Sequence, residues 1–323
     1  MKAAVVHRWG SHPAYADFPD PQPTHGAVVA AVEACALTNL TRAVIGGTHY
    51  TSKTIELPAI AGVDGVARLD DGTRVYTHAH PPYGLLAERT LVHPATCVPV
   101  PDGVDSVTAA ALPNPGVSAW MTLDYGAAIT PGAHVLVLGA TGVTGSFAVQ
   151  LAKATFDAGH VVVAGRNTAR LDWLRTVGAD DAIALGTEDL ADAVAARHRA
   201  RPFDAVIDYL WGEPAQQVIA SLAASHPPDF HATRFVQVGA MAGEHATFGA
   251  QSLRSTGISV CGVGIGSVPP DAMLRARNDG LPRLFAMVQS GALELSTRTR
   301  ALADIESVWT ATEPSGTRTV VIP

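Results

Sequence analysis

Gly139, Gly142 and Gly145 stand three residues apart in the segment HVLVLGATGVTGSFAVQLAK, residues 134–153. Before them Val135, Leu136, Val137 and Leu138 form an apolar run suited to a buried parallel strand. After them Phe147, Ala148, Leu151 and Ala152 recur at helical spacing as far as Lys153. A strand, a glycine turn and a helix in that order suit a pyrophosphate. Glycines let the backbone approach the ligand, and the helix start offers free N–H groups and a positive dipole end. Thr141 and Val143 belong to the same turn and count among the candidate cofactor contacts. The spacing is G-x-x-G-x-x-G rather than the stricter G-x-G-x-x-G, so a turn that binds nothing is the plainer alternative.

A second chemical signal lies at the end of the next strand, read over 160–164. Dinucleotide units that select NAD usually place an acid there for the ribose 2′-hydroxyl. Here the chain reads Gly165-Arg166-Asn167, with Arg170 one helical turn on. A guanidinium pairs with a 2′-phosphate through its planar fork, so Arg166, Asn167 and Arg170 point to NADP(H). The alternative is that both arginines are solvated surface charges. Gly239 and Ala240, after a strand read over 235–238, and Val263, at the end of another, are candidates for the nicotinamide half of the cleft.

The elements that must position these residues divide the chain. Residues 1–115 are rich in proline, glycine and short β-branched runs, at 27–34, 65–69, 74–76, 89–92 and 97–100. Turn signals such as Asp71-Gly72 and Pro81-Pro82 separate them, which predicts a mostly antiparallel β domain. A short helix is read over 106–111, and Pro113-Asn114-Pro115-Gly116 marks the crossing into a second domain. From there strands and helices alternate. Helices are read over 118–125, 168–177, 190–198 and 214–224, and strands over 182–185, 203–207, 235–238 and 258–263. That order predicts a doubly wound parallel sheet at 116–265. A further helix over 272–289, strands over 293–296 and 318–322 and a helix over 302–312 complete the tail. The 266–323 segment is expected to return to the first domain.

Composition bounds the function. The 323 residues are 47% hydrophobic and 16% charged, those of a globular protein with ample core. A net charge of −7 gives no basic footprint for nucleic acid. No apolar run approaches the length of a transmembrane helix, and MKAAVVHRWG reads as a first strand rather than a signal peptide. Cys35, Cys97 and Cys261 lie far apart and form no C-x-x-C pair, so neither a zinc knuckle nor a disulfide framework is indicated, and the cytoplasm is the default compartment. His78 and His80 are a candidate metal pair, with a loop beside Pro81-Pro82 as the plainer reading and no third ligand at helpful spacing.

In these segments the chain resembles the medium-chain dehydrogenase/reductase superfamily, in its zinc-free quinone oxidoreductase branch, the zeta-crystallin-like one. The resemblance is carried by residues 1–6, 34–50, 57–76, 83–92, 110–120, 139–153 and 165–183, in the family's order. It implies an α/β protein with a GroES-like β-rich catalytic domain formed by both chain ends and a doubly wound Rossmann domain between them. It also implies a homodimer paired through the edge strand at 258–263. Zinc members carry a cysteine ligand near Thr38 and G-H-E near Gly62; here Thr38 and Gly62-Val63-Asp64 stand instead, so no metal is expected. The branch's usual Asn and Asp in the first helix region are blurred: Asn39 matches the Asn with a one-residue shift, and Thr41 stands where Asp is common. Tyr50 resembles the tyrosine that lines the substrate cleft, and its phenol is a candidate donor to a substrate oxygen, with packing under a lid as the alternative. His49 reads as a surface loop residue. Asn114 and Ser118 resemble positions near the nicotinamide, although Asn114 is also suited to cap the helix after Pro115.

The expected activity is hydride transfer from NADPH to a quinone or an α,β-unsaturated carbonyl, a small-molecule substrate, without zinc. The alternatives are an NADP-dependent alcohol or ketone dehydrogenase, which lacks zinc to polarise its carbonyl, and an NADPH-binding protein without turnover.

Overall fold

His134–Leu138 is buried at every residue, and a six-stranded parallel sheet is built around it in the computed structural model, which describes residues 1–323. The strands lie in the order Asp181–Ala184, His160–Gly165, His134–Leu138, Ala205–Asp208, Ala232–Gln237 and Gly257–Gly262. The order reverses beside the first strand of the series, between His134–Leu138 and Ala205–Asp208, as in the doubly wound nucleotide-binding fold. Val135, Leu136, Val137 and Leu138 are fully buried because helices cover both faces of a parallel sheet. On one face Leu136, Leu138, Val162 and Phe235 pack with Val194, Phe203, Val218, Ile219 and Leu222.

This sheet belongs to a unit spanning Pro115–Arg283; the other unit joins Met1–Asn114 to Leu284–Pro323. The return to the first unit therefore falls at Leu284 rather than at 266. Residues 270–283 stay with the second unit because Gly280 lies against the Trp120 indole and Arg275 pairs with Asp124 at 3.7 Å. The helix expected over 272–289 is Pro270–Arg275, a wider turn at Ala276–Gly280, and Leu281–Gln289.

In the first unit Val28–Ala36 is the central strand. It pairs antiparallel with Asp64–Arg68, Arg89–Val92 and the C-terminal strand Thr317–Ile322. Lys2–Val6 pairs with Ala14–Asp17 and Ala59–Ile60 in a separate three-stranded sheet. Val6, Leu37, Leu85, Leu86, Ile305 and Trp309 share one core. The strand expected over 293–296 begins instead at Ser296 and runs to Ala301, paired in parallel with Thr317–Ile322. The crossing expected at Pro113-Asn114-Pro115-Gly116 is the first turn of the helix Pro113–Met121, where proline costs little because those N–H groups have no intrahelical partner.

At the amino ends of the parallel strands, His134 and His198 each stack with Phe203, with centroids 4.2 and 5.8 Å away. The Phe203 N–H donates to His198 Nδ1 at 3.1 Å. Burial, with smaller contributions from the neighbouring His231, His134 and His226, pulls His198 down to about 4. Its neutral form is held in the fold and protonates more easily when unfolded, so this stabilisation is present above the ordinary histidine range and is lost as pH falls through it toward about 4. Thermal unfolding measured from pH 7 to pH 4.5 is expected to show a falling midpoint, with a shallower slope for His198→Gln, which keeps an acceptor but does not titrate. An unchanged slope would show that His198 is not the titrating group.

Candidate active site

The pyrophosphate candidate is built by one close approach. The helix Val143–Ala154 starts so near the end of the first strand that a Cβ at Gly145 would lie 2.5 Å from the Gly139 carbonyl oxygen and 2.7 Å from Ala140 Cα. Only glycine fits there. Gly139 turns the chain with φ +74°, a left-handed conformation that a side chain resists, and its N–H donates to Ala164 O at 3.0 Å. Gly142 is the residue before the helix and provides no side-chain cap, so the first-turn N–H groups are not closed off from that position. Thr141 is buried against Gly165 on the second strand, and Val143 opens the helix, half-buried. The residues fit a pyrophosphate cradle.

Beyond the second strand, Asn167 caps the helix Thr168–Thr176, its side chain accepting from Arg170 N–H at 3.0 Å. Arg166 is exposed, and the half-buried Arg170 guanidinium lies 3.8 Å from the Trp173 ring centroid. Stacking on an indole holds an arginine plane while leaving its edge to hydrogen-bond. No acid stands in this Gly165-Arg166-Asn167 turn.

Gly239, Ala240 and Val263 lie at the carboxyl ends of the fifth and sixth strands. Gly239 N–H donates to Asp208 O at 3.1 Å, and Val263 N–H to Gln237 O at 2.9 Å. Ala240 is exposed and Val263 buried. The Gly239 turn hangs on Asp208, which with Tyr209 ends the fourth strand and, like the Gly239 segment, is read from the sequence as a strand end that could face the cofactor cleft. Its buried carboxylate accepts from Leu210 N–H at 2.8 Å and Trp211 N–H at 3.0 Å. Burial pushes Asp208 up to about 6 against those two N–H groups. Trp211 sits at φ +55°, strained for a non-glycine residue, and Leu210 packs within 3.1 Å of where a Gly139 Cβ would be. Asp208 thus ties the strained turn to the glycine cradle. The signal available beforehand was an acid ending an otherwise apolar strand, which alone does not show which amides it meets.

In the first unit Thr38 caps the helix Asn39–Ile45: its Oγ1 accepts from Thr41 N–H at 3.0 Å and lies 3.1 Å from Thr41 Oγ1. Asn39 is exposed on the first turn. Tyr50 is 53% exposed, its ring 4.1 Å from that of His49, which caps the short turn Tyr50–Thr54. That turn is fixed to the helix by Ser52 Oγ donating to Val44 O at 2.7 Å. His49 is therefore a capping residue as well as a loop residue. Asn114 lies inside the first turn of Pro113–Met121, so it does not cap a helix after Pro115; Ser118 is mid-helix, its carbonyl accepting from Thr122 Oγ1 at 2.8 Å.

The first unit also holds a buried polar group that sequence reasoning missed. Asp64 accepts from Tyr76 Oη at 2.5 Å, and Cys35 Sγ donates to Asp64 O at 3.2 Å. Burial raises Asp64, opposed by the Tyr76 hydrogen bond and the charges of His78 and Arg318. Burial lowers Arg318 to about 10, opposed by Asp64. Burial pushes the Cys35 thiol well up, which keeps it protonated and inert. No group of three or more His, Cys, Asp or Glu side chains is placed to hold a metal ion. His78 and His80 part company: the His78 ring meets Tyr76 at 5.3 Å, whereas His80 meets His93 at 4.6 Å.

A Rossmann sheet with a glycine cradle at its first strand defines a dinucleotide-binding protein of the dehydrogenase class. The chain is similar along its full length to quinone oxidoreductases of the medium-chain dehydrogenase/reductase superfamily, and it shares their GroES-like and Rossmann folds. Residues 143–277 match the family model described as zinc-binding dehydrogenase; that match does not reach the positions of Thr38 and Gly62. A probable NADPH-dependent quinone reductase of Emericella nidulans is 27% identical, with all of both chains covered. The solved quinone oxidoreductase of Thermus thermophilus, known also in complex with NADPH, is 27% identical over the full length of both chains, with a TM-score of 0.82. The 2-methylene-furan-3-one reductase of Solanum lycopersicum is 33% identical over 50% of this chain and 45% of its own.

Gly145→Ala is expected to cost about 1–3 kcal/mol of stability, because the added methyl meets backbone rather than a side chain that can move. It should also weaken binding of a pyrophosphate-bearing nucleotide. Chemical denaturation and a nucleotide titration check the two effects, and unchanged nucleotide affinity in a folded variant would remove the cradle from the site.

Proposed function

We propose that the protein is an NADPH-dependent reductase of quinones or α,β-unsaturated carbonyls that works without zinc. The observation that carries the reading is the glycine cradle followed, at the end of the second strand, by Arg166 and Arg170 where an NAD enzyme usually has an acid. The names of the relatives agree: NADPH-dependent quinone reductase, quinone oxidoreductase and 2-methylene-furan-3-one reductase. When bound, NADPH supplies the hydride.

The residues divide the work. Gly139, Thr141, Gly142, Val143 and Gly145 hold the pyrophosphate, whose charge the start of Val143–Ala154 favours. Arg166 and Arg170 pair with the 2′-phosphate, Arg170 already held in place by Trp173. Gly239, Ala240, Val263, Asn114 and Ser118 contact the nicotinamide half. Tyr50 and Asn39 are the substrate-side polar groups, the phenol donating to the acceptor's oxygen as negative charge develops there. Thr38 Oγ1 is engaged by Thr41 N–H and Thr41 Oγ1, while Tyr50 has an exposed ring and is the donor in this reading.

The enzyme acts in the cytoplasm as a homodimer paired through the edge strand Gly257–Gly262, on a small molecule and not on nucleic acid. The support is the unpaired outer side of that strand, three cysteines in no disulfide and the net charge of −7. No helix is long and apolar enough to cross a membrane.

The deciding assay is NADPH oxidation by chelator-treated protein with ortho-quinones and small enones, with NADH as control. Turnover with NADPH in chelator is expected; NADPH binding without turnover on any acceptor would overturn the reading. Arg166→Ala and Arg170→Ala should each raise KM for NADPH roughly tenfold, from the loss of a charge-assisted hydrogen bond, and leave NADH kinetics unchanged. Tyr50→Phe should lower kcat at least about tenfold with little change in KM for NADPH; an unchanged kcat would assign Tyr50 to packing.

A further inference from the structure

His80 and His93 take no part in the chemistry above, yet they face each other directly. His93 Nε2 lies 3.3 Å from His80 Nδ1, with the ring planes inclined by 71°. The other nitrogen of His93, Nδ1, lies 3.0 Å from the Gly26 carbonyl oxygen. A carbonyl only accepts, so Nδ1 carries the proton and Nε2 turns its lone pair toward His80. Metal-ligating histidines are held in this way, one ring nitrogen anchored to a carbonyl and the other left for the cation. Two imidazole nitrogens on a tetrahedral ion, each about 2.0–2.1 Å from it, stand about 3.3–3.4 Å apart. The separation of His80 Nδ1 and His93 Nε2 matches that edge.

We propose that His80 and His93 form a two-imidazole chelate for a divalent late transition-metal ion, with water filling the remaining positions. His80 is exposed and His93 half-buried, so the open positions face solvent. Imidazole pairs take copper, nickel and zinc in preference to the oxygen-seeking magnesium and calcium. With no third protein ligand converging, the site is not a closed structural cage, and neither histidine is among the residues assigned to hydride transfer. Its mechanical effect is to join three segments. His80 closes a tight turn with Tyr83, through N–H to O bonds of 3.0 and 2.9 Å. His93 reaches the turn at 24–27 through Gly26. A bound ion ties the first turn to the second.

The same two rings also satisfy a simple hydrogen bond from His80 Nδ1 to His93 Nε2, and the test separates the two. Untagged, chelator-stripped protein is titrated calorimetrically with Cu2+, Ni2+, Zn2+, Mn2+ and Mg2+. One equivalent should bind, with affinity rising from Mn2+ to Ni2+ to Cu2+, Zn2+ below Cu2+, and no stoichiometric Mg2+. Bound Cu2+ should show nitrogen hyperfine structure from two imidazoles. His80→Asn and His93→Asn should each weaken binding at least about tenfold. Neither residue belongs to the catalytic machinery, so unchanged NADPH oxidation reports an intact fold, and metal binding is read without reference to catalysis. Absence of stoichiometric binding, binding that survives both substitutions, or equal binding of Mg2+ overturns the proposal.

Discussion

The close approach of the helix Val143–Ala154 to the strand His134–Leu138 is the constraint on which the second unit depends. A side chain at Gly145 would strike the Gly139 carbonyl, so the turn exists only while that position is bare. The same contact aims the helix start at the carboxyl end of the sheet, where its unpaired N–H groups favour an anion. Neighbouring turns are adjusted to it. Leu210 closes over Gly139, Asp208 holds the strained Trp211 turn by two N–H bonds, and Gly239 hangs from the Asp208 carbonyl. A buried carboxylate satisfied by backbone amides is costly to remove, because the amides would be left unpaired in a low-dielectric interior.

The first unit follows a different logic. Around Thr38 and Asp64 the polar side chains are engaged by short hydrogen bonds with one another and with backbone. Thr38 and Thr41 satisfy each other and a helix start, while Asp64 receives the Tyr76 phenol and shares charge with Arg318. Asp64 Oδ1 and Arg318 Nε are buried there without a hydrogen-bond partner. Tyr50, by contrast, is held on its turn by a ring contact with His49 and leaves its surface open.

Much of the sheet architecture is legible in the chain because parallel strands buried on both faces must be short and continuously apolar. Val135–Leu138 and 161–164 announce themselves that way, and the helices between them keep their 3.6-residue spacing. Short edge elements such as Ala14–Asp17 and Ala59–Ile60 carry no such signal; their pairing with Lys2–Val6 depends on residues brought together from distant parts of the chain. The prolines at 113 and 115 read as a break, yet they sit in a helix start, where the missing N–H is no loss.

Residue order alone settles the glycine cradle, the arginines that stand where an acid is usual, and the alternation of strands and helices, because each depends on residues near one another in the chain. Folding in three dimensions was needed to show that Asp208 serves the cradle and that Asp64 meets Tyr76 and Arg318. It was needed also to keep residues 270–283 with the Rossmann unit and to turn His80 toward His93 rather than toward its sequence neighbour His78. Apart from the local bonds of Asp208, those pairings are made across strands or turns rather than between adjacent residues. Their partners are set by register, turn direction and burial, which no local pattern of residue types encodes.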